Sequence, residues 1–295
     1  MTFSSPHLPV LLHDVIEQLQ IKKEDIVIDG TIGFGGHSGE ILPLLSQKGK
    51  LIGLDQDLEA LTFCKNRFLP HKNVTLINDN FSNIHHLIVT KKIPMPSKIF
   101  LDLGYSSFQL DHSARGFSFS TTQPLDMRMD KNSTITASDI LNRYTKEKLS
   151  NMFYQLGELH HNKVLSENII RGRRKKRITT TKELIEIIKN SYKFRNRALM
   201  MKIFSQVFQA LRIETNQELE HLKHFLEDLP HYLQTGGIIC IITFHSIEDR
   251  IVKQFFKEHH TLFKPLHKKV IQADQNAIKK NSREKPAKLR SYIRL

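Results

Sequence analysis

Short apolar runs alternate with helically spaced segments along the first hundred residues. Ile26-Val27-Ile28, Leu51-Ile52-Gly53-Leu54, Val74-Thr75-Leu76-Ile77 and Lys98-Ile99-Phe100-Leu101 each read as a short buried strand. Asp14 to Leu19, Ser38 to Leu45 and Leu58 to Phe68 carry helical spacing, the last with Ala60, Leu61 and Cys64 on its inward face. Strand and helix in alternation predict a parallel, doubly wound sheet. The alternation stops after Gly104. Tyr105 to Asp130 is irregular, but its aromatic and methionine content sets it apart from a disordered segment. Ala137 to about Lys202 is helical in pattern, and Thr179-Thr180-Thr181-Lys182-Glu183-Leu184 has the form of a capped helix start. Val207 to Leu229 predicts one long amphipathic helix with Phe208, Leu211, Leu219, Leu222 and Phe225 inward. Ile238 to Phe244 predicts a further buried strand, and His245-Ser246-Ile247-Glu248 opens the next helix. The pattern divides the chain into a discontinuous α/β domain, 1–110 and 205–295, and an all-helical insertion, 111–204.

The strand ends carry the chemistry. Asp29, Asp55, Asp79 and Asp102 fall at or just past the tips of successive strands, the edge where open α/β sheets bind ligands. Asp29 leads into Gly30-Thr31-Ile32-Gly33-Phe34-Gly35-Gly36-His37, a loop whose glycines allow tight turns and close backbone approach. Asp55 lies ~20 residues beyond the glycines, the spacing at which a carboxylate accepts the hydroxyls of a ribose. Two cofactors suit such a unit. A nicotinamide dinucleotide wants a third loop glycine where this chain has Ser38. S-adenosylmethionine, with no phosphate and a charged amino-acid end, suits an acid at the first strand tip, and the pattern favours it. Phe81, after Asn78-Asp79-Asn80, is placed to lie on an adenine face or to serve as a core aromatic.

Charge adds a partner. The 295 residues carry a formal net charge of +14, which suits a polyanion such as nucleic acid. The densest basic run, Arg171-Gly172-Arg173-Arg174-Lys175-Lys176-Arg177, lies in the insertion and is the candidate phosphate grip. The segment from Lys264 to Leu295, also basic, reads as a phosphate-binding tail or a poorly ordered end. Two cysteines in apolar surroundings, Cys64 and Cys240, read as core residues of a reduced, cytoplasmic protein, with no metal site expected. No apolar run approaches the ~20 residues that span a bilayer, and the N-terminus does not have the form of a signal peptide.

Six motifs, in order, carry a resemblance. They are Asp29-Gly30-Thr31-x-Gly33-x-Gly35-Gly36-His37-Ser38, Leu101-Asp102-Leu103-Gly104-x-Ser106-Ser107-x-Gln109-Leu110-Asp111 and Arg115-Gly116-Phe117-Ser118-Phe119. Pro124-Leu125-Asp126-Met127-Arg128-Met129-Asp130, Phe208-Gln209-Ala210-Leu211-Arg212-Ile213 and Phe244-His245-Ser246-x-Glu248-Asp249-Arg250 complete the set. The chain resembles the bacterial 16S ribosomal RNA cytosine-N4 methyltransferases, the RsmH or MraW family. The resemblance implies S-adenosylmethionine as methyl donor, a cytosine of the small-subunit decoding centre as target, and a Rossmann-like sheet with a helical insertion. It places the cofactor on Gly35, Gly36, His37, Asp55, Phe81, Asp102 and Gln109, with Asp29 as a further candidate. It implies 16S ribosomal RNA, within the small subunit, as partner; the sequence leaves monomer and homodimer both open. The chain departs from the family at Leu156-Gly157-Glu158-Leu159, Lys202-Ile203-Phe204-Ser205-Gln206 and Glu284-Lys285-Pro286, all outside the cofactor loop.

The exocyclic amine of cytosine is a poor nucleophile because its lone pair is delocalised into the ring. Acceptors on its protons favour the charge that develops at nitrogen. Asp102, in Asp102-Leu103-Gly104-Tyr105, is the candidate acceptor, and His245 is a candidate proton relay or a helix cap. No cysteine stands at a strand tip, which argues against covalent attack on the cytosine ring. Candidate RNA contacts are Arg173, Arg174, Lys175, Lys176, Arg177, Lys288 and Arg290.

Overall fold

The computed structural model describes residues 9–105, 110 and 113–295. It separates into two compact units, one formed by residues up to Gly104 together with Leu219–Leu295, the other by Tyr105–Glu218.

The first unit is built on seven strands: β1 (Ile26–Asp29), β2 (Lys50–Asp55), β3 (Val74–Asn78), β4 (Lys98–Asp102), β5 (Ile238–Thr243), β6 (Phe263–Pro265) and β7 (Lys288–Arg294). Their order is β3-β2-β1-β4-β5-β7-β6. β1 to β5 are parallel, and β7 runs antiparallel between β5 and β6. Parallel strands covered on both faces must be apolar on both, and the period of two divides them between two cores. Ile28, Ile52, Leu54, Ile99, Leu101, Ile239 and Ile241 pack with Leu222, Phe225, Val252 and Phe256. Val27, Leu51, Phe100, Ile238, Cys240 and Ile242 point the other way, among Val15, Leu19, Ile41, Leu61 and Cys64. The covering helices are α1 (Leu12–Leu19), α2 (Gly36–Ile41), α3 (Leu58–Phe68), α4 (Ile84–Val89), α10 (Glu218–Tyr232) and α11 (Ser246–Glu258).

The second unit is helical: α5 (Ala137–Arg143), α6 (Lys146–Gly157), α7 (Asn162–Lys175), α8 (Thr181–Ser191) and α9 (Arg197–Asn216). Its starts are capped by Thr136, Thr145, Thr180 and Asn196, and Thr136 and Thr180 close reciprocal capping boxes with Asp139 and Glu183. Phe153, Leu165, Ile169, Leu184, Ile188, Val207 and Leu211 make its core. Gly157 lets α6 meet α9 closely, since a Cβ there would lie 2.6 Å from the Gln206 carbonyl oxygen. The irregular stretch before α5 is pinned by Arg115, which is buried and donates through Nη1 to the carbonyls of Arg128 (3.1 Å) and Met129 (3.2 Å).

Three expectations change. The expected helix from Val207 to Leu229 is two helices, because Gln217 turns left-handed (φ 50°) and ends α9. The units divide at 104/105 and 218/219, since a boundary at 205 would cut through α9. The basic C-terminal segment is not a loose tail. It supplies β6, a short helix α12 (Gln275–Lys280), and β7, whose Leu289 is fully buried.

Candidate cofactor site

β1, β2 and β4 deliver three carboxylates to adjacent strand tips. Asp29 accepts from the Thr31 amide at Oδ1 (3.2 Å) and from the Ser38 hydroxyl at Oδ2 (2.6 Å). Asp55 accepts from the Gly33 amide at Oδ2 (2.8 Å) and from the Asp57 amide at Oδ1 (2.8 Å). The Asp102 amide donates to the Thr31 hydroxyl (2.7 Å), so Thr31 ties the first tip to the fourth. Burial pushes all three acids up, Asp29 to about 7, Asp55 to about 6 and Asp102 to about 8. The negative field of Asp29 adds to the rise at Asp102, and that of Asp55 to the rise at Asp29.

The glycine loop is held from behind by α3. The Cys64 thiol donates to the Gly33 carbonyl (3.1 Å), and Arg67 Nη1 donates to the Phe34 carbonyl (2.9 Å). Gly33 (φ 50°) and Gly35 (φ 72°) are left-handed, where a Cβ is strained. At Gly33 a Cβ would meet only the Thr31 carbonyl, 3.9 Å away, so this backbone is open to a ligand. At Gly35 it would lie 2.7 Å from Phe68 Cε2 and 3.2 Å from Cys64 Sγ. Gly35 therefore serves the packing of the loop on α3, and its missing side chain points away from open space.

His37 lies under the same edge. Its Nε2–H donates to the Val10 carbonyl (2.9 Å), its ring tilts against Phe100, and its Nδ1 is 4.0 Å from Asp102 Oδ2. Burial holds it down to about 4, so it is neutral at physiological pH. Phe81 packs edge-on to Phe225 and flanks Gly30, whose added Cβ would lie 3.0 Å from Phe81 Cβ. The turn before it is set by Asn78 and Asn80: Asn78 Nδ2 donates to the Asp55 carbonyl, and Asn80 Nδ2 to Gln56 Oε1. Asp79 is engaged locally, by the Asn80 amide and the Asn83 side chain.

Asp29, Gly35, Gly36, His37, Asp55, Phe81 and Asp102 thus all belong to the loop and strand tips of one sheet edge. Gln109 lies outside the described residues. Thr31 and Ser38 were not singled out from sequence. Their signal is that each hydroxyl sits in the glycine loop within reach of an acid at a strand tip.

The remaining candidates are placed otherwise. His245 caps α11, its Nδ1 accepting from the Glu248 amide while Glu248 Oε2 accepts from the amides of Phe244 and His245. Its ring is thereby fixed as a cap. Arg173 donates through Nη1 to the carbonyls of Leu141 and Tyr144, which makes it a structural tie of the insertion. Lys176 pairs with Glu183 and Arg177 with Asp139. Lys288 and Arg290 both face Asp249, and Arg290 holds it through two nitrogens. The pairing explains why β7 tolerates charge, and it engages both side chains within the fold. Arg171, Arg174 and Lys175 are exposed, as are Lys176 and Arg177 in their ion pairs.

The structure tests the cofactor chemistry at one atom. Asp102 Oδ1 is buried and has no hydrogen-bond partner among the described residues. A buried carboxylate without a donor is costly, and a cationic or N–H-bearing ligand at this edge would satisfy it. With the Asp55 carboxylate at the next strand tip and Gly33 open, the residues fit a nucleoside that carries positive charge. The fold and site define a Rossmann-like domain for a nucleoside cofactor.

Comparison with known proteins narrows the class. The MraW methylase family matches residues 4–294. A protein of Dictyoglomus turgidum called Ribosomal RNA small subunit methyltransferase H is 41% identical over 286 residues, covering 96% of each chain. Proteins of the same name from Dictyoglomus thermophilum and Clostridium botulinum are 42% and 39% identical, covering 97% and 96% of this chain and 96% and 97% of their own. The chain belongs to the MraW methylase family, and is an S-adenosylmethionine-dependent methyltransferase. Among the described residues no helix is long and apolar enough to cross a membrane.

Proposed function

We propose that the chain transfers a methyl group from S-adenosylmethionine to the exocyclic N4 of a cytosine in small-subunit ribosomal RNA, at the decoding centre. The observation that carries this reading is Asp102. It ends β4, beside the tip of β1, with one oxygen near neutral His37 and the other without a donor among the described residues. S-adenosylmethionine supplies an electrophilic methyl group when bound. Asp55 accepts from its ribose, while Gly33 and Gly35 shape the loop that receives it. Asp102 accepts a hydrogen bond from the amine as positive charge develops at nitrogen. Burial pushes Asp102 up to about 8, so it is largely protonated until the cationic donor favours its ionised form, which can then take up the proton released from the amine. His37 stays neutral beside it.

The names of the relatives support ribosomal RNA of the small subunit as substrate, and the net charge of +14 agrees with a polyanion. The helical unit is the RNA-recognition element, and Arg171, Arg174 and Lys175 are its exposed phosphate contacts. The test offers labelled donor with unmodified small-subunit RNA, with assembled small subunits, and with an unrelated RNA of equal length. Label in either small-subunit sample and none in the unrelated RNA supports the proposal. Equal label in all three, or none in any, contradicts it.

A further inference from the structure

The lysines of the C-terminal segment have no part in the cofactor site. Lys268 and Lys269 follow β6, Lys279 and Lys280 end α12, and Lys285 precedes β7. All five are exposed, and among the described residues none of their side chains has an ion pair. From Lys264 to Lys285 the chain has seven Lys or Arg residues and two acids, Asp274 and Glu284. Asp274 is spent on capping α12, where its carboxylate accepts from the amides of Asn276 and Ala277 at 2.8 Å each. β7 is treated differently, since Lys288 and Arg290 are both answered by Asp249. The fold neutralises the charges of the strand and leaves those of its approach open.

The open charges stand at a defined place. Ile271 and Leu289 exchange two backbone hydrogen bonds, of 3.0 and 2.9 Å. Leu266, Ile271 and Ala273 pack against the core, in which Ala287 and Leu289 are buried. Leu289 pairs with Ile242, and Ile242 pairs with Asp102. Asp102, Ile242, Leu289 and Ile271 therefore form one row across the sheet. Ile271 is three strand spacings from Asp102, roughly 14 Å at about 4.8 Å each. β7 starts at Lys288, opposite Thr243 at the end of β5. The connection from Ile271 to Lys288, with Lys279, Lys280 and Lys285 on it, thus lies past the C-terminal ends of the parallel strands. That is the edge where Asp29, Asp55 and Asp102 stand. Lys264 is at the other edge, because it pairs with Ile293 in the row of Ile238 and Lys98, where β4 and β5 begin.

We infer that Lys268, Lys269, Lys279, Lys280 and Lys285 form a phosphate-binding surface on the α/β unit, which holds the RNA strand beside the target nucleotide. Crowded like charges repel within the fold, and a polyanion relieves them while releasing its own counterions. Lysine serves as a flexible point charge for phosphates and reads no base. The separation from Asp102 suits neighbouring nucleotides and leaves the strand tip to the reacting base. The inference rests on RNA as the methyl acceptor, and it is independent of the exposed arginines and lysine of the helical unit.

The experiment follows binding of a small-subunit RNA fragment to the full-length protein by fluorescence anisotropy in rising salt. K279Q/K280Q/K285Q is expected to lower the slope of log affinity against log salt by roughly two, at ~0.7 per single-strand phosphate contact. Its affinity for S-adenosylmethionine, from calorimetry, is expected to be unchanged. K22Q/K23Q/K264Q removes the same charge from exposed positions at the opposite edge of the sheet and is expected to keep the wild-type slope. An unchanged slope in the first variant, or an equal drop in both, would overturn the surface. Methyl transfer from labelled donor to the same RNA is measured in parallel with the wild type. Absence of label there would refute RNA as the acceptor, and the two slopes decide the surface whether or not label is found.

Discussion

Replacing Asp55 by alanine separates the two tasks of that side chain. Its carboxylate holds the amides of Gly33 and Asp57 at 2.8 Å each, and it is the group assigned to the donor's ribose. A hydrogen bond to a charged group is worth about 1.5–3 kcal/mol. Loss of the ribose contact should therefore weaken donor binding by roughly 10- to 150-fold, at about 1.4 kcal/mol per factor of ten. The Gly33 amide loses its acceptor as well, so the loop relaxes and the true loss falls toward the upper end. Asp55→Asn keeps one carbonyl acceptor and should fall between wild type and Asp55→Ala. Calorimetric titration with S-adenosylmethionine measures the affinity, and circular dichroism confirms that each variant is folded. Unchanged affinity in a folded Asp55→Ala protein would refute the placement of the ribose at this tip.

Other expectations follow from the same geometry. Gly35→Val combines a positive φ with a clash on Phe68; it should cost on the order of 2–6 kcal/mol in chemical denaturation and abolish donor binding through the loop, and a normally stable variant would contradict the packing role. Asp29, Asp55 and Asp102 titrate higher in the fold than their ordinary value of 3.8. The folded state thus binds more protons, and their contribution to stability is full below about pH 4 and is lost as pH rises toward about 8. Asp102→Asn should flatten that decline in urea titrations across this window, and an identical pH dependence would count against it. Because a cationic donor favours the ionised acids, its binding near pH 7 should release protons, read as a dependence of binding enthalpy on buffer ionisation. Gln at Arg171, Arg174 and Lys175 together should lower the slope of log RNA affinity against log salt by roughly two, at ~0.7 per single-strand phosphate contact, with donor affinity unchanged; an unaltered slope would mean these side chains do not touch RNA.

The part of the fold with one repeating period was legible in the sequence. β1 to β5 announce themselves as apolar runs, and the acids at their tips follow from where those runs end. β7 did not, because Lys288, Arg290 and Arg294 give it the composition of a basic tail. Its charges are tolerated through Asp249, a contact 39 and 41 residues away in sequence. The break at Gln217 was equally hidden, since apolar spacing continues across it and only a left-handed backbone marks the end of α9. In the site, residue types were legible but their partners were not. Gly35 read as a ligand contact, and the sequence did not show that its missing side chain faces Phe68. Arg173 read as a phosphate ligand and proves to hold two backbone carbonyls. Both depend on what lies opposite, which local spacing does not encode.

The central claim is that this sheet edge directs a methyl group to an exocyclic cytosine nitrogen. Small-subunit RNA labelled by the purified protein, digested to nucleosides and separated by chromatography with mass detection, tests it most directly. The label is expected in N4-methylcytidine and to vanish with Asp102→Ala. Label recovered in 5-methylcytidine, in a ribose-methylated nucleoside or in a purine would contradict the account.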